Sequence, residues 1–584
     1  MKKLLTIVLA LLMIFSSSAL TACGTGSENN YNSTKTQLYV GLFKAGLGRE
    51  WLDRAKIDFE EKYKDVSFEE GKQGVEVVID YKVAEFKVGT FQSNVPSLVN
   101  SIYFLDQSDY AGYSSLGILK NVNNYLNKDV YDDNGDLIDI TFNAENSALS
   151  FGEGGTTSMM DIMNEEYVYS MKHIDGNYYA APYRNIVTGV IYDADYFNSA
   201  KLYFFKDENP ETGEKFGATQ ADIDRGSNED GSLEIGYGPD GVKGTTDDGM
   251  PETWNDFMTL IDNMGSTYPF VWSGAENYQK MYMYMDIWAN YEGYDNFKLN
   301  YSFEGEHSEL GEIKPSNAIE KLTQQEGRKA AIKALYDIAS NSSYVYSNWK
   351  STDEFESQKR FVKSKKESKR IAMLVDGGYW EVNMIGEFNS MAQSNPQDGF
   401  GKRDFRLLPI PNFVGVDGIK DQTVTNAPEV LYCAGPGIVC LPSNYRNKNA
   451  VQDSLAELFL YFTHSREQMI KFTGATGGCV KPYDFKVTEA DHKYLTKYGI
   501  NIFNYIADGA KMISDTPTTT VVKQNNTVLF SETEGYYKFH IVSGGVHYTD
   551  PISYCIGAGA SKTVDQVYTE VVNNIKSKCI IQGI

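Results

Sequence analysis

The stretch IAMLVDGGYWEVN, residues 371 to 383, decides the fold prediction. An apolar run ends at Asp376, two glycines follow, and Tyr379 and Trp380 come next. The run is typical of a buried strand, and the glycines allow close backbone approach. The aromatic pair therefore either fills a core or lines a pocket at the carboxyl end of the strand, where open α/β sheets bind ligands.

The segments around this stretch predict an α/β chain without internal repeats. Residues 37–43 and 74–83 are typical of strands, and residues 49–63 between them have the apolar spacing of an amphipathic helix. Strand, helix and strand in this order predict a parallel sheet with crossover helices. Residues 450–465 predict a further helix.

Composition limits the classes of partner. The chain has 584 residues, a net charge of -24, 42% hydrophobic and 13% aromatic residues. This length and apolar content predict a large core in more than one lobe. The negative charge argues against nucleic-acid binding and against docking to anionic lipid through charge alone.

The first residues have the layout of a secretory signal peptide, with Lys2 and Lys3 before an apolar run too short to span a membrane comfortably. Leu20-Thr21-Ala22-Cys23 resembles the bacterial lipobox. That resemblance implies cleavage before Cys23 and lipid attachment to its thiol; the alternative is a plain secretory signal in which Cys23 is incidental. We expect a signal peptide over 1–22, a lipid-anchored flexible tether over 23–36 and a mature protein on the extracellular face of the cell membrane.

The other five cysteines are too sparse for a disulfide-rich scaffold and form no CxxC pair. They are Cys433, Cys440, Cys479, Cys555 and Cys579. One bridge, between Cys433 and Cys440, and a set of buried free thiols are both compatible with the sequence.

An acidic, glycine-rich segment covers residues 206–250. Within it, Asp240, Asp247 and Asp248 lie among glycines, as carboxylates do in loops that bind hard cations. The spacing does not fit an EF-hand. A structural calcium site and a solvated acidic loop are the two interpretations.

Five motifs in chain order resemble the family 1 extracellular solute-binding proteins. They are DGNYYAAPYRNIVTGVIYDADYF (175–197), PETWNDFMTLI (251–261), IAMLVDGGYWE (371–381), RDFRLLPIPNF (403–413) and the helix of residues 450–465. The resemblance implies an α/β two-lobe periplasmic-binding-protein-like fold with crossing hinge segments, an interlobe ligand cleft and a partner ABC permease. The acidic segment departs from the family pattern as an insertion, and residues beyond about 490 match poorly.

On this resemblance we divide the mature chain into alternating lobe segments. The first lobe takes 37–145 and returns over 396–460. The second takes 146–395, including the acidic insertion 206–250, and then 461–584 with the C-terminal helices.

The resemblance also suggests which aromatic residues hold the ligand. Trp380 follows the strand end where the family carries an aromatic plate, with Tyr379 beside it; core packing of Trp380 is the alternative. Trp272, Glu276 and Tyr278 match a family segment that supplies cleft contacts. The alternative is that Glu276 and Tyr278 belong to an ordinary helix N-terminus.

Polar candidates lie on two other segments. Tyr183, Arg184 and Asn185 follow a proline in a hinge-side loop, and Arg184 leaves an acidic sugar open as ligand. Asp109 matches a hydroxyl-binding carboxylate of the family, and Asp106 competes for that role.

These expectations combine into one function. The sequence predicts a monomeric, non-enzymatic receptor for a carbohydrate, in particular an oligosaccharide, with no required cofactor and membrane contact through the lipid anchor alone. A secreted glycoside hydrolase is one rival, although no catalytic signature marks a pair of carboxylates. A surface glycan adhesin without a transport role is the other. No GxSxG or HExxH motif supports a serine hydrolase or a zinc enzyme.

Overall fold

The computed structural model describes residues 31–43, 46–83, 88–106, 110–531 and 535–581. The predicted signal peptide, Cys23 and Asp109 lie outside the described residues. Within them, every helix is too short or too polar to cross a membrane.

The strands of the described residues, in chain order, are β1 Thr36–Phe43, β2 Val75–Val83, β3 Ile102–Asp106, β4 Ile140–Asn143, β5 Ala148–Phe151, β6 Ala181–Asp193, β7 Tyr203–Phe204, β8 Phe216–Ala218, β9 Tyr268–Val271, β10 Gly305–His307, β11 Gly311–Ile313, β12 Ile371–Gly377, β13 Phe405–Leu408, β14 Val430–Cys440, β15 Cys479–Val480, β16 Lys511–Ser514, β17 Ile541–Ser543 and β18 Val546–Tyr548.

The α-helices are α1 Glu50–Lys62, α2 Val88–Asn94, α3 Tyr110–Ser115, α4 Asn123–Leu126, α5 Met159–Ile162, α6 Glu165–Ser170, α7 Ala194–Ala200, α8 Gln220–Arg225, α9 Trp254–Asp262, α10 Tyr278–Phe297, α11 Leu299–Ser302, α12 Ala318–Leu322, α13 Gly327–Ser340, α14 Glu354–Lys363, α15 Trp380–Asn383, α16 Ile385–Ala392, α17 Ala450–Thr463, α18 Arg466–Thr476, α19 Lys497–Ala507, α20 Thr520–Gln524, α21 Asn526–Leu529, α22 Pro551–Ile556 and α23 Val564–Lys578. Short 3-10 turns cover Val95–Ser97, Trp349–Ser351, Ser364–Lys366, Pro396–Asp398 and Glu489–Tyr494.

One continuous sheet runs through the molecule in the order β2-β1-β3-β14-β6-β12-β9. β1 pairs in parallel with β2 and β3, and β12 pairs in parallel with β9, as the strand-helix-strand pattern predicts. β14 and β6 are antiparallel to each other and join these two parallel groups. The α/β prediction is therefore confirmed, with an antiparallel pair at its centre.

The two central strands are long because each belongs to both halves. Pro182 and Ala181 near the start of β6 pair with β14, whereas the end of the strand pairs with β12 and β13. Every residue of β6 is buried. β6 and β14 are thus the crossing segments between the halves.

Separate hydrophobic cores lie in the two halves. The first contains β1, β2, β3 and α1, and the late helices α17 and α18 pack into it. The second half has a core on each side of its sheet, one around α10 and α13 and one around α14 and α19. The predicted residue limits of the two lobes stay a prediction.

Candidate functional site

Tyr379 connects the two halves at the carboxyl end of β12. The Gly378 N–H donates to the Val187 carbonyl of β6 at 2.8 Å, so the chain turns directly against the central strand. Tyr379 then packs into the first core although it follows a strand of the second half. A Cβ built on Gly46 would lie 3.8 Å from Cδ1 of Tyr379. The ring therefore fills the boundary between the halves.

Trp380 lies in a core of the second half, the arrangement that the alternative prediction of core packing describes. Its side chain is 0% exposed. The ring packs edge-on against Phe405 at a centroid distance of 4.9 Å and against Phe361 at 5.6 Å. A ring enclosed by other aromatic side chains offers no face to a ligand, so the structure supports core packing.

Two further tyrosines join Tyr379. Tyr278 and Tyr282 lie one turn apart at the start of α10, with ring centroids 5.4 Å apart. A Cβ built on Gly377 would lie 3.1 Å from Cε1 of Tyr379 and 3.6 Å from Cε2 of Tyr282. We call Tyr278, Tyr282 and Tyr379 the tyrosine cluster. It is the aromatic part of the candidate site.

Two carboxyl groups accompany the tyrosine cluster. Gln358 Nε2 donates to Asp376 Oδ2 at 2.8 Å and to Glu354 Oε1 at 3.2 Å. Burial, followed by the charge of Glu354, raises the pKa of Asp376 to about 8. Burial also raises the pKa of Glu354, against the hydroxyls of Tyr278 and Tyr379, which lower it. Glu354 is half-buried and is the carboxyl group placed beside the tyrosine hydroxyls.

The Asp376 carboxyl group is held by the protein itself. Besides Gln358 it accepts hydrogen bonds from Gln279 Nε2 at 2.8 Å and from the Gly377 N–H at 2.7 Å. It is fully buried under the cluster. Asp376 therefore orients the turn before Tyr379, whereas the half-buried Glu354 carboxyl group faces the tyrosine hydroxyls.

Arg184 is occupied by protein groups. Its Nη2 lies 2.9 Å from Asp106 Oδ2, its Nε donates to the Gly435 carbonyl at 2.9 Å, and its Nη1 donates to the Tyr183 hydroxyl at 3.3 Å. The side chain is 2% exposed. Because the Arg184 guanidinium is bonded to protein groups, it does not support the prediction of an acidic sugar as ligand.

The neighbours of Arg184 on β6 are also buried. Tyr183 stacks on Trp51 of α1 at a centroid distance of 5.5 Å and belongs to the first core. Asn185 accepts a hydrogen bond from the Tyr167 hydroxyl, which in turn accepts one from Ser514 Oγ at 2.9 Å. These two predicted ligand contacts thus stabilise the crossing strand in this structure.

The segment before α10 is mostly structural. Trp272 is 0% exposed and lies between Phe270 and Trp349. Glu276 accepts hydrogen bonds from the Ser273 hydroxyl and, at 3.1 Å, from the Glu354 N–H. Of the three residues predicted here, Tyr278 alone reaches the cluster, while Trp272 packs in a core and Glu276 fixes the start of α14.

The acidic loop uses its carboxylates internally. Asp247 accepts from the Asp240 N–H at 3.0 Å and from Thr245 Oγ1 at 2.8 Å, and Asp248 accepts from the Gly244 N–H at 2.8 Å. Among the described residues no group of three metal-ligating side chains is placed to hold an ion. Calcium binding stays a prediction. The five cysteines beyond Cys23 are buried thiols.

Sequence reasoning missed Tyr282, Glu354 and the C-terminal residues at the hinge. Tyr282 follows Tyr278 by four positions, which places both on one helix face. That spacing was a usable signal. No local pattern links Glu354 to Tyr379, because they meet only through the sheet.

Comparisons with known proteins show similarity in structure. No family model matches the chain, and no curated protein matches it in sequence. RafE from Streptococcus pneumoniae, solved in its apo form, superposes with a TM-score of 0.50 at 12% identity, covering 94% of this chain and 100% of RafE. The chain has the fold of the extracellular solute-binding proteins.

Two further solved structures match this solute-binding fold at lower scores. A family 1 extracellular solute-binding protein from Bifidobacterium longum subsp. infantis has a TM-score of 0.45 at 11% identity, covering 93% of this chain and 99% of that one. The maltotriose binding protein of Thermus thermophilus, bound with maltotriose, has a TM-score of 0.45 at 14% identity, covering 92% and 99%.

Proposed function

We propose that the chain is an extracellular receptor that captures a carbohydrate in the interlobe cleft and delivers it to an ABC permease. One observation carries the proposal. Tyr278, Tyr282 and Tyr379 converge with the Glu354 carboxyl group at the boundary between the halves of a solute-binding fold.

The chemistry of this arrangement suits a sugar. A sugar ring presents apolar C–H faces and a rim of hydroxyl groups, so its receptor needs aromatic surfaces and a few fixed polar partners. The cluster supplies three tyrosine rings, and Glu354 accepts hydrogen bonds from hydroxyls. An oligosaccharide is the ligand class that we expect to use several rings together.

Lobe closure is the motion that this proposal requires. The contact between Tyr379 and the Gly46 turn joins the two halves directly. The halves are also connected through β6 and β14, where a hinge rotation changes few backbone angles. We infer that ligand enters when Tyr379 leaves the Gly46 turn.

Localisation follows from the sequence prediction. We propose that the mature protein is anchored outside the cell membrane by lipid on Cys23, as a monomer without a required cofactor. A permease would then receive the ligand from the closed form.

The test is isothermal titration calorimetry of the mature chain with neutral mono- and oligosaccharides, followed by chromatographic recovery of the sugar. Saturable binding with intact sugar supports a transport receptor. Cleaved sugar would move the protein to the glycoside hydrolases. The absence of binding to every sugar would refute the carbohydrate assignment.

A further inference from the structure

Asp515 lies at the tip of a sharp turn directly after β16. The Thr516 N–H donates to the Ser514 carbonyl at 2.8 Å, which closes a γ-turn with Asp515 at its centre. β16 itself pairs in parallel with β14, one of the two crossing strands. The turn therefore projects Asp515 from the hinge.

Glu166 holds both flanks of this turn. Its Oε1 accepts from the Ser514 N–H at 3.0 Å, from Ser514 Oγ at 3.2 Å and from Thr516 Oγ1 at 3.2 Å. Ser514 Oγ also lies 2.9 Å from the hydroxyl of Tyr167, the neighbour of Glu166 on α6. Because backbone and side chains on both sides are fixed, the Asp515 carboxyl group has little freedom to turn away.

One oxygen of the Asp515 carboxyl group, Oδ1, lacks a hydrogen-bond donor among the described residues, while the backbone N–H of Asp515 itself bonds to the group and lowers its pKa. Its Oδ1 is enclosed and accepts no hydrogen bond from another residue in the described part of the chain. No described cation lies within 4 Å of it. More than nine in ten buried polar atoms of proteins are hydrogen-bonded. An enclosed carboxylate oxygen without a donor therefore indicates a position where a bound ligand could donate a hydrogen bond.

Strand pairing places Asp515 near the end of β3, because Ser514 lies opposite Cys433 of β14 and Asp106 lies opposite Gly437 of the same strand. Burial raises the pKa of Asp515, Lys538 lowers it, and Asp106 raises it. Burial raises the pKa of Tyr282 in the tyrosine cluster, and the charges of Asp376, Glu354 and Asp515 raise it further. Asp515 is thus within electrostatic range of both Asp106 and the tyrosine cluster.

We propose that Asp515 is a ligand-binding residue of the cleft, whose carboxylate accepts a hydrogen bond from a ligand hydroxyl. The proposal rests on the carbohydrate function proposed above and names one of its contacts. It also narrows the ligand class. With Glu354 and Asp515 at the site, and with Arg184 and Asp106 neutralising each other, the cleft disfavours uronates and other acidic sugars and takes neutral or amino sugars.

The test compares Asp515→Leu and Asp515→Asn with the unchanged chain in calorimetric titration against the best neutral sugar found. We expect Asp515→Leu to weaken binding about 10- to 100-fold, as loss of a hydrogen bond to a charged group does, and Asp515→Asn to weaken it less. The melting temperature of both variants should be unchanged or higher, because each removes a buried charge that has no partner. The control is Asp337→Asn in α13, where the half-buried acid pairs with Lys333.

A pH series separates a ligand contact from a structural role. Burial raises the pKa of Asp515 to about 6. Affinity should therefore fall as pH drops from 7 to 5, and the Asp515→Asn variant should lose that slope. Asp106, Glu166 and Lys538 also interact electrostatically with Asp515. Six further groups do so as well, but their pKa values lie above the pH range of the series: Tyr167, Tyr282, Tyr301, Tyr432, Tyr537 and Cys433. Burial raises the pKa of Glu166 to about 8, so it stays protonated throughout the series.

The outcomes are distinct. Full affinity in Asp515→Leu, or an affinity loss that parallels a fall in melting temperature, overturns the role of Asp515 and leaves the carbohydrate function standing. Equal affinity for a uronate and its neutral counterpart overturns the narrowed ligand class. The absence of any sugar binding by the unchanged chain overturns both proposals.

Discussion

The Arg184 guanidinium and the Asp106 carboxylate form an ion pair at 2.9 Å that joins the crossing strand β6 to the end of β3. Arg184 is buried, whereas the Asp106 side chain is 36% exposed. The pair therefore fixes the position of β6 relative to the end of β3.

Removal of this guanidinium should destabilise the protein. Arg184→Met removes the guanidinium that faces Asp106 and leaves two acceptors, the Gly435 carbonyl and the Tyr183 hydroxyl, without this donor. Breaking a fully buried pair costs about 3–5 kcal/mol, and the exposure of Asp106 reduces the expected loss to about 1–3 kcal/mol. Urea denaturation measures the loss. The control is Arg360→Met, which breaks an exposed ion pair and should lower the free energy of unfolding by about 0.5 kcal/mol or less. Equal losses in both variants would contradict the structural role.

Trp380→Ala should act on stability. The variant opens a large cavity among Phe361, Phe405 and Phe388 and should lower the free energy of unfolding by about 3–5 kcal/mol. Trp380→Phe should retain most of that stability. Sugar affinity measured well below the melting temperature should stay within about twofold in both variants, a difference of about 0.4 kcal/mol. A sharp loss of affinity in a stable variant would restore Trp380 as a ligand contact.

Tyr379→Ala should show the opposite pattern. The ring contributes to the interlobe boundary, so its loss should weaken sugar binding by about tenfold or more, or about 1.4 kcal/mol. Tyr379→Phe removes the hydroxyl beside Glu354 and keeps the ring, which separates stacking from hydrogen bonding. Calorimetric titration of the three proteins provides the comparison. Unchanged affinity in Tyr379→Ala would place the ligand elsewhere.

The acidic loop should make stability depend on pH in a defined direction. Burial and the charge of Asp240 raise the pKa of Asp247 from an ordinary 3.8 to about 7 in the folded chain. The folded state then binds more protons than the unfolded state between about pH 4 and 7, so stability falls as pH rises through that range. Melting temperatures in chelator should decline over this range, and Asp247→Asn should flatten the decline.

Calcium provides the contrasting experiment on the same loop. An ion held by Asp240, Asp247 and Asp248 binds their ionised forms, so added calcium should raise the melting temperature most at the upper end of the range. Asp240→Ala should abolish that rise. An equal melting temperature with calcium and with chelator would end the calcium prediction.

Cys23→Ser tests the anchor. The variant should leave the detergent phase and appear in the aqueous phase of a Triton X-114 partition of cells, because a lipid chain is the predicted membrane attachment. Sugar affinity of the mature chain should not change. Retention of the variant in the detergent phase would show another mode of attachment.

The sequence predicts the fold well because the spacing of apolar residues within single segments indicates helices and strands. The helix expected over 49–63 corresponds to α1, and the helix over 450–465 corresponds to α17. The site is harder to predict because its members meet through the tertiary structure. Trp380 and Tyr379 are adjacent, yet the turn after Gly377 directs one ring to a core and the other to the interlobe boundary. The residue types alone do not show that two neighbouring side chains point in different directions.

Long-range partners explain the remaining differences. Arg184 is available or occupied depending on Asp106, and the sequence does not state that β3 and β6 approach each other across β14. Asp515 lies in a region where the family resemblance fades, and its position depends on Glu166 far earlier in the chain. Such pairs are set by sheet topology, which local patterning does not encode.

Because α17 and α18 pack into the first core, that core is completed only after most of the chain has been synthesised. β1 and α1 leave the ribosome several hundred residues before the helices that cover them. Contacts so distant in sequence form slowly, and the apolar face of the first half stays uncovered until the last quarter of the chain is made. A truncated product ending before residue 450 should therefore aggregate.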